Sequence, residues 1–114
     1  MRTVKEYANE VEHLSNNAEF SVVDGLINEL SALYAYRNVE MGKLEAMRAT
    51  FIDELSKSID KISMVKCNAE FDATLAGLEL IKLKREVESL TRLIKACENL
   101  GFSLRSEARL ISNS

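Results

Sequence analysis

His13 is the only histidine in the chain, and that removes several chemistries at once. A Ser-His-Asp or Cys-His nucleophile needs an imidazole base held beside it, and a two-histidine metal site needs a second ring. Cys67 and Cys97 have neither CxxC nor zinc-site spacing, and each lies in apolar-patterned sequence, so each reads as a buried reduced thiol. The carboxylates read as solvated helix faces rather than metal ligands. The four glycines stand at least 17 residues apart, which excludes a glycine-rich phosphate loop. No catalytic residue, metal ligand or cofactor is expected, and the chain does not read as an enzyme.

The remaining chemistry is charge. Net charge is −3, which argues against a wholesale basic nucleic-acid binder. The distribution is uneven: residues 1–62 carry 7 Lys/Arg against 11 Asp/Glu, whereas from Lys82 onward the balance is 7 against 4. At about 100° per residue, Leu80, Leu83, Val87, Leu90, Ile94 and Cys97 share one helix face. Lys84, Arg85, Arg92 and Lys95 fall opposite them, with Lys82 at the margin and Glu88 interrupting. Arg105 and Arg109 carry the positive charge into the last segment. Spaced cations of this kind suffice for contact with a phosphate backbone, and equally for a plain solvated face. Aromatics for base stacking are scarce, with Phe102 alone close by.

These residues must be positioned by helices. Among 114 residues there is no proline and no tryptophan, and four glycines are too few for the turns of most all-β folds. With 46% hydrophobic and 29% charged residues, the balance is that of one folded, soluble domain. Residues 1–14 hold no apolar run, and the longest uncharged stretch, Leu30–Tyr36, is too short to cross a bilayer. A cytoplasmic setting without membrane contact follows as the expectation.

Thr3 and Glu6 form a capping box ahead of Val4, Tyr7, Ala8, Val11 and Leu14, predicting a short helix over 3–15. Ser15, Asn16 and Asn17 end it, and a long helix is expected over 18–62. Within that helix Leu30, Tyr34, Arg37, Met41, Leu44, Arg48, Phe51 and Leu55 alternate by four and three, a heptad seam that Ile59 and Ile62 extend. Ser63 is the expected N-cap of a second long helix over 64–100, with Phe71, Leu75, Leu78, Leu93 and Leu100 widening its stripe. Gly101 reads as a left-handed helix end before a short segment over 102–111. The fold class is therefore all-α, an elongated antiparallel helical hairpin with a short N-terminal helix. Such a pair has little interior of its own, so self-association is expected. The seam for it comprises Arg37, Met41, Leu44, Arg48 and Phe51 with Leu83, Val87, Leu90 and Ile94, pairing within a chain, between chains, or both. Arg37 and Arg48 are out of character in an apolar seam; they snorkel, pair with an acid such as Glu40 or Glu45, or set the register of an oligomer.

The run from Leu80 to Glu86, then Leu90–Ala96 and Leu100–Arg109, resembles phage recombination mediator proteins of the UvsY type, as do Ala35-Tyr36-Arg37 and Lys43-Leu44-Glu45-Ala46. The resemblance covers roughly residues 30–110. It implies a non-enzymatic homo-oligomer in the host cytoplasm that binds single-stranded DNA and helps load a recombinase onto DNA coated by a single-strand-binding protein. Carried onto this chain, it implies DNA contact at Lys82, Lys84, Arg85, Arg92, Lys95, Arg105 and Arg109. The competing reading is a small helical adaptor or inhibitor, such as a phage anti-defence protein, whose target is a host protein.

Overall fold

The computed structural model describes residues 2–14 and 19–113, with side chains to residue 106. The expected turn and caps at Ser15, Asn16 and Asn17, and the expected start at Ala18, lie outside the described residues. Among the described residues there are four helices and no strand: α1 (Val4–Glu12), α2 (Phe20–Ser58), α3 (Met64–Asp72) and α4 (Leu75–Asn113). They form the predicted all-α arrangement, a long helical hairpin preceded by a short helix. By contacts the chain divides into two compact units, Met1–Ala35 with Glu88–Ser114, and Tyr36–Val87.

In the first unit, Thr3 starts α1 as its sequence requires. Its hydroxyl accepts from the Glu6 N–H at 3.2 Å, and the Glu6 carboxylate returns to the Thr3 N–H at 3.5 Å. Two orphan donors of the first turn are thereby satisfied. The core is Tyr7 from α1, Val23, Leu26, Leu30 and Leu33 from α2, and Leu90 and Cys97 from α4. The two long helices run antiparallel here. Ascending α2 from Val23 to Tyr34 descends α4 from Gly101 to Ile94, with Val23 beside Gly101 and Tyr34 beside Ile94. Helix α1 supplies the third side, placing Val4 and Val11 against the core. Arg2 clips its start in place, stacked 4.3 Å over the Tyr7 ring and paired with Glu10 and, at 3.2 Å, Glu29.

In the second unit the hairpin turns. Helix α2 stops at Ser58, four residues before the expected Ile62. The Ser58 hydroxyl bonds back to the Glu54 carbonyl at 2.9 Å, and Lys61 adopts φ 60°, a left-handed conformation that no helix can include. Ser63 then caps α3, as predicted, accepting from the Lys66 N–H at 3.2 Å. The buried side chains here are Cys67, Phe71, Leu80 and Leu83, and Phe51 of α2 meets Phe71 edge-on at 5.5 Å.

Two boundaries correct the sequence reading. The helix expected over 64–100 is broken at Ala73-Thr74 into α3 and α4. Thr74 makes the break: its hydroxyl donates to the Phe71 carbonyl at 2.6 Å and accepts from the Gly77 N–H at 3.0 Å, ending one helix and capping the next. Gly77 permits the close fold, because a Cβ there would stand 2.1 Å from the Phe71 carbonyl oxygen. The break also turns Leu75 and Leu78, expected to widen the buried stripe, out to 87% and 56% exposure. At Gly101 the correction runs the other way. No glycine has positive φ, and α4 continues through Gly101 to Asn113, so the segment over 102–111 is the end of α4. A Cβ at Gly101 would stand 3.6 Å from Val23 Cγ1, an ordinary contact, so the helix passes through this position without requiring glycine.

Candidate nucleic-acid interface

Helix α4 carries the seven basic residues expected to contact DNA, and the structure sorts those with described side chains by partner. Lys84 points to Glu45 of α2, Nζ to Oε1 3.7 Å. Arg105 is exposed but lies 3.5 Å from Asp24 of α2. Because α4 is unbroken at Gly101, the 13 residues from Arg92 to Arg105 turn the helix by about 140°, net of whole turns. Arg105 therefore belongs to a different face. The side chain of Arg109 lies outside the described residues. Lys82, Arg85, Arg92 and Lys95 are exposed and make no ion pair with any described residue.

The last two have company in the first unit. Lys95 edges an apolar depression of about 330 Å³ formed with Tyr34, Thr91, Ile94 and Glu98. Phe102 stands 73% exposed seven residues beyond Lys95, which is two helical turns along the same face. Arg92, Lys95 and Phe102 thus present two unpaired cations and one open aromatic ring along some 15 Å of helix. Chemically, that arrangement can neutralise adjacent phosphates and stack one base.

The expected seam faces inward within one chain. Leu83 is 2% exposed in the second unit and Leu90 is fully buried in the first, where Ile94 packs against the same core. Met41, Leu44, Phe51 and Val87 are half-buried. Arg37 holds two acids, Glu86 at 3.1 Å and Glu40 at 3.5 Å. The facing Arg37 Nε and Glu86 Oε2 atoms are enclosed and misaligned for a hydrogen bond, so their contact is an ion pair. Glu40 also accepts from the Tyr36 hydroxyl, which holds that phenol above its ordinary range. Among the described residues Arg48 takes no acid. Its Nη2 donates to Oδ1 of Asn68 on α3 at 2.5 Å, a partner the spacing did not suggest.

Cys67 and Cys97 are free and buried, in accord with the reading of their surroundings. Burial, with Glu10 and Glu98 nearby, pushes the Cys97 thiol up. Among the described residues no group of three His, Cys, Asp or Glu side chains is placed to hold a metal ion. Among the described residues no helix is long and apolar enough to cross a membrane. Sequence reasoning missed Asn68, Thr74 and Gly77. For the last two a signal was present, since Thr-x-x-Gly has N-cap-to-N3 spacing, but the continuing three-four alternation concealed it. Comparison with protein-family models, curated proteins and solved structures finds no match to this chain.

Proposed function

We propose that the protein is a non-enzymatic accessory factor that binds single-stranded DNA along α4, in the manner of the recombination mediators it resembles, and that it acts as a homo-oligomer alongside a recombinase and a single-strand-binding protein. The observation that carries the reading is that Arg92 and Lys95 are exposed and unmatched while Phe102 opens on the same face. Elsewhere Arg2, Arg37, Lys57, Lys84 and Arg105 lie against carboxylates, while Lys5, Lys43, Lys61 and Lys66 are exposed without a described ion pair; what sets the α4 face apart is two such cations beside an open aromatic ring. Lys82 and Arg85, in the other unit, are further unmatched cations of the same helix.

Fluorescence anisotropy of a labelled oligothymidylate across a salt series, with duplex as control, tests it. Each phosphate contact contributes a slope of about −0.7 in log K against log salt for a single strand, so two to four contacts give roughly −1.5 to −3. Replacing Arg92 and Lys95 by Glu should abolish binding, and Phe102→Ala should weaken it about tenfold through lost stacking. No binding at low salt removes the proposal. Self-association has its own test: a monomeric mass by light scattering at micromolar concentration would remove that part.

A specific feature favours the adaptor reading as the alternative. Met64, Val65, Leu75 and Leu78 are 56–87% exposed in the Tyr36–Val87 unit, an apolar surface that a protein partner would cover. An adaptor would ignore DNA and tolerate the charge reversals.

A further inference from the structure

A groove between α2 and α3 in the Tyr36–Val87 unit has an electrostatic arrangement separate from the α4 cations. It encloses about 570 Å³ and is walled by Arg48, Ile52, Asp53 and Ser56 from α2 and by Met64 and Asn68 from α3, with Glu45 at its edge. Both carboxylates on this rim are matched within the chain: Glu45 faces Lys84 at 3.7 Å, and Asp53 faces Lys57 at 2.9 Å. Arg48 is not matched. Its guanidinium is half-buried, and among the described residues its partner is the neutral Asn68 amide. A guanidinium has five N–H donors in a planar fork, and Asn68 takes one of them. A half-desolvated cation without a counter-charge is costly, and a carboxylate brought to it would be held by paired, charge-assisted bonds.

We propose that this groove docks an amphipathic helix of a partner protein, which sets an Asp or Glu on Arg48 and apolar side chains against Ile52 and Met64. Charge complementarity selects the occupant. The groove's one unmatched charge is positive, whereas its acids Glu45 and Asp53 already hold Lys84 and Lys57. A single carboxylate flanked by apolar groups matches that charge and the apolar Ile52 and Met64, whereas a phosphate chain would bring many charges to a groove that offers one unmatched cation. Met64, 63% exposed, offers the flexible apolar surface that accepts a helix face.

Selection of a display library of random amphipathic helices against the intact chain tests this directly. Enriched helices should share an acid flanked by apolar residues at helical spacing, and should perturb the amide signals of residues 48, 52, 64 and 68. Their affinity should fall at least tenfold for Arg48→Met. Met64→Glu, at an exposed position that leaves the interior untouched, should weaken them comparably by placing a like charge in the groove. Enrichment of basic or purely apolar helices would overturn the proposal, as would acidic helices indifferent to both variants. Groove signals that move with oligothymidylate would reassign the site to nucleic acid, and signals that move with protein concentration alone would reassign it to a second copy.

Discussion

Glycine has opposite meanings at two positions of this chain. Gly77 is buried where a Cβ would meet the Phe71 carbonyl oxygen at 2.1 Å and the Asp72 Cα at 2.7 Å, both backbone atoms that cannot step aside. Gly77→Ala must push α4 away from α3, and we expect it to destabilise by about 3 kcal/mol, in the range of severe overpacking. Gly42 lies in the middle of α2 with nothing within 4 Å of its would-be Cβ. Gly42→Ala should stabilise by roughly 0.5–1 kcal/mol, since it restricts the unfolded chain and adds no clash. Urea denaturation of both variants checks the pair, and shifts of the same sign would refute the assignment. Cys97 gives a pH dependence at the same scale. Its thiol is held protonated in the fold by burial first, with Glu10 and Glu98 adding to the effect. In the unfolded chain it ionises near pH 8.5. The sign follows: the contribution is complete below that pH and is lost as pH rises toward the higher folded value. The stability of the native chain relative to Cys97→Ala should therefore shrink between pH 7 and pH 10, measured by denaturation at each.

Among the elements, the ends proved harder to read than the faces. Local chemistry marked the starts of α1 and α3, because a capping hydroxyl bonds to a backbone N–H only three residues away. The break at Thr74 uses the same chemistry, yet Ala73, Ala76 and Leu80 keep a helical alternation across it. Periodicity reports which residues share a face; it does not report whether the backbone between them stays hydrogen-bonded. Thr74→Val keeps the shape and removes the hydroxyl that serves both helices. It should cost about 1–2 kcal/mol by thermal or chemical denaturation, with the increase in amide exchange concentrated in residues 71–78. A loss spread evenly over the chain would mean that Thr74 is not the joint. Gly101 differs for the complementary reason: glycine near a helix end signals a cap, but it also tolerates helical φ and ψ, and here α4 runs straight through it.

For the molecule as a whole, burial is concentrated differently in the two units. In α2 the buried side chains are Val23, Leu26, Leu30 and Leu33, all in the first unit, where α1 and α4 cover them. Past Ala35 the heptad continues at Met41, Leu44 and Phe51, but these are only half-buried. We expect Leu90→Ala to cost roughly 3–4 kcal/mol and Leu44→Ala about half that, as cavity energetics scale with how completely a site is enclosed. Equal losses in denaturation would show that Leu44 gains cover the single chain does not supply, as it would in an oligomer.

By itself the amino-acid sequence determined the helical class, the caps at Thr3 and Ser63, and the separation of cations from apolar side chains around α4. Each of these depends on residues three or four apart, whose geometry a helix imposes on itself. Tertiary structure alone decided that Leu83 and Leu90 are buried within one chain, that Arg48 meets Asn68 rather than an acid, and that Arg105 leaves the basic face for Asp24. Those outcomes join residues 20 to 81 positions apart. A repeating heptad fits many partners nearly equally well, and packing and counter-charge across the hairpin select among them.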